Sequence, residues 1–255
     1  PISAYQSLNL LDFGTYAYVD GKWIQVASQK TNPNPDLRWE KKEETNIGLD
    51  FGLLDGRISG AVDLYKRHTK DLLMLYTVPT PPYTYDKIFA NAATMDNKGI
   101  EIQVNAIPIQ NNRFTWSTSV NFSANQNKLV SLSDKNFQIA SGYFDAGDTH
   151  GPIQQKYSRI QIGQPIGNFW GFKTVDIDDN GHWIIEGKDG KPKPIADQQA
   201  DDRQIIGNGM PKRFLAWNNT FTYRNLDLNI TMRGAFGYQI VNTARMWYEP
   251  PIMLS

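Results

Sequence analysis

The feature that most constrains this chain is a strict alternation of apolar and polar residues, clearest over residues 113–128. One parity there is mostly apolar and consists of Phe114, Trp116, Thr118, Val120, Phe122 and Ala124. Successive side chains of a β-strand point to opposite faces, so this pattern predicts a strand with one apolar and one polar face. The pattern recurs over 43–53, 57–65, 98–107, 214–223 and 226–236. No helical period fits these segments, and they predict an all-β, antiparallel fold.

The length of these segments and the spacing between them favour a membrane barrel. About ten residues exceed the usual strand of a soluble sheet and match a tilted strand that crosses a bilayer. Short turns are expected near 54–56, 108–112 and 224–225, and long connections over about 72–96 and 129–212. Short turns on one side and long extracellular loops on the other are typical of outer-membrane barrels. We therefore predict an antiparallel transmembrane β-barrel segment.

A hairpin at 166–186 interrupts the second long connection. Its second arm is too short to cross a membrane, so the hairpin is expected to belong to the external loop. A soluble β-sandwich also alternates, although its strands are usually shorter and its connections lack the short-and-long asymmetry. A soluble or surface glycan-binding β-sandwich therefore stays open as the alternative.

Composition excludes several other classes of function. The 255 residues carry 26 basic and 26 acidic side chains, so the chain lacks the basic excess of a nucleic-acid-binding protein. The absence of cysteine excludes disulfides, thiolate zinc sites and a cysteine nucleophile. The three histidines show neither metal-ligand spacing nor a recognisable catalytic partner.

Several short motifs resemble one family of transporters. The sequence NPDLRWE at 34–40 is followed by ETNIGLDFG at 44–52. Further similar motifs follow in the same order at 57–60, 63–67, 69–73, 97–101, 163–167, 169–171, 202–212 and 233–237. Together they resemble the late barrel region of the SusC/RagA family of TonB-dependent outer-membrane transporters.

The resemblance implies a location, an activity and partners. It implies a barrel of about 22 strands in the bacterial outer membrane, in contact with lipid and with its lumen filled by a plug domain. It also implies a SusD-like surface lipoprotein over the barrel, energy supplied by TonB through the plug, and import of an oligosaccharide or oligopeptide. The plug and the final strand are expected outside residues 1–255, which would form a partial C-terminal portion of the barrel. No catalytic residue is expected, although a glycosidase needs only two carboxylates about 5–10 Å apart and is kept as a third hypothesis.

Two sets of side chains are candidates for contact with solute. The polar parity of the strands predicts a set of lumen-facing residues, namely Asp50, Asp63, Glu101, Gln103, Asn105 and Arg233. The long loops carry aromatic residues that could stack on sugar rings or pack on peptides, namely Tyr83, Tyr85, Tyr143, Phe144 and Trp170. Packing of the loops on themselves explains the aromatic residues equally well.

One segment resembles the start of a calcium-binding loop. Asp176, Asp178 and Asn180 alternate before Gly181, and oxygen ligands two residues apart can converge on one ion. Gly187 stands where such a loop needs a bidentate glutamate. An Asn-Gly hairpin turn explains the same residues, so calcium is the one cofactor left open.

Overall fold

The computed structural model describes residues 7–149 and 154–248, and nearly all of its regular structure is β. The strands are β1 (Leu11–Val19), β2 (Lys22–Gln29), β3 (Lys41–Leu53), β4 (Ile58–Thr77), β5 (Lys87–Gln110), β6 (Phe114–Ser131), β7 (Tyr143–Asp148), β8 (Lys156–Gln161), β9 (Asn168–Gly171), β10 (Thr174–Ile177), β11 (Trp183–Glu186), β12 (Pro192–Pro194), β13 (Gln204–Asn208), β14 (Arg213–Tyr223) and β15 (Leu226–Phe236). Two short 3-10 helices, Ile195–Asp197 and Ala200–Asp202, precede β13, and helix α1 spans Thr243–Tyr248. No helix in these ranges is long and apolar enough to cross a membrane.

Six strands form one antiparallel sheet in the order β15-β14-β6-β5-β4-β3. Strand β14 pairs with β6 from Arg213 opposite Ala124 to Tyr223 opposite Phe114. The described part of the connection between β6 and β14 therefore adds no strand to this sheet. The predicted all-β, antiparallel fold is confirmed, and the hairpin strands β10 and β11 lie in a separate three-stranded sheet.

The two faces of the six-stranded sheet differ as the alternation predicts. Cross-strand partners share a face, and one row across the sheet consists of Phe51, Gly60, Val104, Val120, Trp217 and Met232. On this apolar face Ile47 is 70% and Leu49 is 66% exposed, because no described element covers them. The total accessible surface is 18045 Å², against roughly 11,000 Å² for a compact protein of this mass. A sandwich would bury this face against a second sheet, so the β-sandwich alternative is not supported.

The connection expected over 72–96 is shorter than predicted. Strands β4 and β5 continue beyond a register shift at Leu72, which follows Asp71 at a φ of 58°. Only 78–86 joins them. The extended hairpin has its own core, in which Tyr76, Ile88, Ala90 and Ala92 pack together. Burial of small residues there removed the alternation on which the prediction depended.

The N-terminal hairpin β1–β2 was not predicted. It turns at Asp20 and Gly21, which have φ angles of 50° and 80°. Two central residues at positive φ are typical of a two-residue hairpin turn, for which Asp-Gly is a favoured sequence.

The long connection after β6 folds into two small sheets. One has the order β13-β9-β8-β7 and the other the order β10-β11-β12. The first is tied to the end of β6, because Leu129 and Gly163–Gln164 exchange backbone hydrogen bonds of 2.8 and 2.9 Å. A second apolar cluster, Ala93, Leu129 and Leu132, lies at the same junction and contacts Phe144 and Ile160. We call residues 132–212 the loop assembly.

Candidate functional site

The polar face of the six-stranded sheet brings together the residues predicted to line a lumen. Registers between neighbouring strands put Asp50, Gln103 and Arg233 in one row across the sheet. Asp63 pairs with Glu101 and Asn105 with Ser59 in the two flanking rows. All six predicted side chains therefore share one face. Four of them, Asp63, Glu101, Gln103 and Arg233, line a groove of about 410 Å³.

This face presents charges of both signs. Asp63 and Glu101 are direct cross-strand neighbours, and Asp63 accepts a hydrogen bond of 3.3 Å from the Asn46 amide. Asp50 lies on β3 at one edge of the sheet, and Arg233 lies on β15 at the other. The face can hydrogen-bond water, a polar solute or another polar protein surface. Its role as a lumen wall stays a prediction.

Two of the predicted loop aromatics enclose an arginine that was not predicted. The Arg159 guanidinium lies 3.7 Å from the ring centre of Tyr143 and 3.8 Å from that of Trp170. It also donates two hydrogen bonds, of 2.6 and 2.9 Å, to the Asp145 carboxylate. The bond to Asp145 raises the pKa of Arg159. Stacking and bidentate pairing together favour arginine over lysine at this position. The signal in the sequence was a basic residue, Arg159, between two segments that carry the aromatic residues Tyr143 and Trp170.

The other three predicted aromatics contact the fold itself. Tyr83 packs against the Tyr76 cluster, and Phe144 packs against the Leu129 cluster. The Tyr85 hydroxyl donates to the backbone carbonyl of Gln29. The packing alternative accounts for these contacts, and a contact of any of the five with solute stays a prediction.

The segment predicted to bind calcium forms the turn between β10 and β11. The Asp178 carboxylate accepts from the backbone amides of His182, at 2.7 Å, and Asn180, at 3.0 Å. The bond from His182 is the main cause of a lowered pKa of Asp178. Asp176 accepts from the amide of Ile177 at 2.9 Å. These bonds fit the turn alternative, and calcium at Asp176, Asp178 and Asn180 stays a prediction.

A ladder of buried asparagines holds residues 30–40 along the extended β4–β5 hairpin. Asn32 accepts from the amides of Thr84 and Tyr85, and Asn34 donates to the carbonyl of Phe89 at 2.7 Å. Asn91 accepts from Arg38 N and donates to Arg38 O. Prolines at 33 and 35 remove backbone donors, so asparagine side chains supply hydrogen bonds that a strand would supply with its backbone. The Asn-Pro-Asn-Pro sequence was the signal for this contact.

Asp202 is the centre of a second polar contact, within the loop assembly. Its carboxylate accepts from the amides of Gln199, at 2.7 Å, and Lys188, at 3.0 Å, and pairs with the Lys193 ammonium. These bonds, that from Lys193 foremost, lower the pKa of Asp202 to about 2. Within the described residues, no three His, Cys, Asp or Glu side chains form a group that could hold a metal ion.

An open antiparallel sheet with one uncovered apolar face and one polar face defines a segment of a barrel wall. The model of the family described as TonB dependent receptor-like, beta-barrel matches residues 12–183. The chain belongs to this family, which is a family of outer-membrane proteins, and the predicted SusC/RagA-like identity is confirmed.

Relatives over most of the chain support this assignment. TonB-dependent receptor P3 of Formosa agariphila is 31% identical over 94% of this chain and 25% of its own length. TonB-dependent receptor SusC of Bacteroides thetaiotaomicron is 28% identical over 91% of this chain and 23% of its own length. The chain thus spans about a quarter of these curated relatives.

Solved structures share the fold at lower sequence identity. The RagAB peptide importer in its closed-closed state matches with a TM-score of 0.74 at 22% identity, over 92% of this chain and 25% of that one. Its open-open state gives a TM-score of 0.76 over 93% and 24%. The expectation that the chain is not an enzyme is confirmed, because its family and its relatives are TonB-dependent receptors. The glycosidase hypothesis is left without support.

Proposed function

We propose that this chain forms part of the barrel wall of an outer-membrane, TonB-dependent importer. The observation that carries the proposal is the six-stranded sheet with an uncovered apolar face. Exposed side chains such as Ile47, Leu49 and Leu228 would cost free energy in water, whereas lipid chains would cover them favourably. The polar face, with Asp50, Gln103 and Arg233, then lines the lumen or contacts a plug domain.

The cargo in this proposal is an oligosaccharide or an oligopeptide. SusC-like relatives and the RagAB peptide importer support the import of nutrients of this size. The folded loop assembly supports a docking role for a SusD-like surface lipoprotein. TonB would deliver energy through a plug domain.

Uptake by cells that express the full-length receptor tests this function. Labelled oligosaccharides or oligopeptides should accumulate, and accumulation should stop when TonB is deleted or the proton gradient is collapsed. A lipoprotein should copurify with the receptor in mild detergent. Release of the native receptor from cells without detergent, as a monomer, would contradict the barrel proposal.

A further inference from the structure

A polar groove lies where the loop assembly meets the start of β14 and the residues after β15. Four segments build it, at 124–127, 164–168, 205–213 and 237–239. It consists of two cavities of about 520 Å³ and 290 Å³ that share Pro165, Asn208 and Lys212. We call the two cavities together the junction groove.

Backbone hydrogen bonds fix the shape of the junction groove. Gln239 N donates to Asn208 O, and Asn208 N donates to Gln239 Oε1, both at 2.8 Å. Lys212 is held on two sides, because its N–H donates to Phe236 O at 3.0 Å and its carbonyl accepts from Asn125 N at 3.1 Å. The base of the Lys212 side chain is therefore held between β6 and β15.

Two donors of the junction groove lack an acceptor within the described chain. Asn168 is 2% exposed, and its Oδ1 accepts from Asn208 Nδ2 at 2.7 Å, yet its own Nδ2 has no partner. Buried donors are nearly always paired, so the unpaired Asn168 amide at the wall of the groove is an exception. The Lys212 ammonium forms no ion pair with any described residue.

The lining of the junction groove has donors and positive charge without negative charge. Lys212 and Arg213 are its charged residues, and no Asp or Glu lines either cavity in the described chain. The other polar side chains are Tyr238 and the amides of Asn125, Gln126, Asn127, Gln164, Asn168, Asn208 and Gln239. Such a lining suits a ligand that brings an anionic acceptor, because hydrogen bonds to an ionised group are the strong ones.

We propose that the junction groove binds a carboxylate group of the transported solute, with Lys212 as its main charged contact. This inference rests on the proposed import function. The carboxylate could belong to a uronic acid in an oligosaccharide or to the free terminus of a peptide. The chemistry recognised is the same in both cases.

Binding to the purified full-length receptor tests this site. Calorimetry would compare two matched pairs of probes, namely oligogalacturonate with its methyl ester and an oligopeptide with its C-terminally amidated form. The charged member of one pair should bind about tenfold more tightly than its neutral partner. Lys212→Met should remove that difference and leave the neutral probe unaffected. Lys212→Arg should restore it, and Lys135→Met, in an exposed turn outside the groove, should preserve it.

In the binding experiment, two outcomes would overturn the site. One is equal binding of charged and neutral members in both pairs, and the other is a charge preference that survives Lys212→Met in a correctly assembled receptor. Uptake separates this inference from the proposed function. A Lys212-dependent preference without TonB-dependent uptake would support the groove and contradict import. Uptake that does not distinguish charged from neutral solutes would support import and contradict the groove.

Discussion

Asn91 shows at the level of one residue how the NPDLRWE motif is held in place. Its side chain accepts from Arg38 N at 2.9 Å and donates to the carbonyls of Arg38 and Asp71 at 2.8 Å. Asn91→Ala would leave an amide and two carbonyls unpaired in a largely buried contact. We expect segment 30–40 to open more easily by about 2–4 kcal/mol.

Hydrogen exchange of the Arg38 amide in the assembled receptor measures this change. Asn136→Ala is the control, because Asn136 is an exposed asparagine outside the ladder. Unchanged exchange in Asn91→Ala would show that other contacts hold the segment.

Asp202 gives the loop assembly a defined response to acid. Its pKa is lowered to about 2, whereas an unfolded aspartate titrates near 4. A lowered folded pKa means that the stabilisation is fully present above about pH 4 and is lost as the pH falls toward 2. Pepsin should therefore cleave residues 188–202 of the wild-type receptor increasingly over that interval.

Asp202→Asn should make the same segment sensitive to pepsin already at pH 4 to 5. Asp201→Asn is the matched control, because the Asp201–Lys188 pair is 72% exposed on both sides and exposed pairs contribute little. Equal cleavage of both variants would contradict the role of Asp202.

At the scale of elements, the strands were predictable where the two faces meet different surroundings. Strands β3, β6, β14 and β15 alternate over most of their length, because one face of the sheet there is mostly apolar and the other mostly polar. The outer parts of β4 and β5 were not predictable, since consecutive residues such as Asn91, Ala92 and Ala93 are all buried and the alternation disappears. In the candidate site, the alternation along each strand predicted which residues share the polar face of the sheet. The stacking of Arg159 between Tyr143 and Trp170 and the shape of the junction groove depend on contacts between residues distant in sequence. The alternation of apolar and polar residues carries no information about such contacts.

Adjacent residues on β5 test which face of the sheet contacts lipid. Ile102 pairs with Val62 and Phe122 on the apolar face, and Gln103 pairs with Ala61 and Asn121 on the polar face. Ile102→Arg would place a charge in the hydrocarbon region at a cost of about 2–4 kcal/mol. We expect poor barrel assembly, measured by heat-modifiable electrophoretic mobility. Gln103→Arg should assemble normally, and the reverse result would assign the faces the other way.

At the scale of the whole molecule, the wall and the loop assembly are held by separate sets of contacts. Every ladder contact of β14 goes to β6 or β15. The loop assembly is joined to the wall through the end of β6, around Leu129, through the residues after β15, around Gln239, and through the β4–β5 hairpin, where Phe137 and Ile139 pack on the Tyr76 cluster. The wall can therefore form without the loop assembly, while the junction groove cannot.

Replacement of residues 133–208 by a flexible Gly/Ser linker tests this separation. Arg213 at the start of β14 pairs with Ala124 of β6, and β6 continues from Ala124 to Ser131. A linker of about ten residues is long enough to run back along this part of β6 and reach the start of β14. Loss of Ile139, Phe144 and Ile160 exposes the Leu129 cluster and should lower the melting temperature. We nevertheless expect heat-modifiable barrels in the outer membrane, with Ile102→Arg as the assembly-defective reference, and loss of uptake. Failure to assemble would show that the loop assembly is part of the folding unit of the wall.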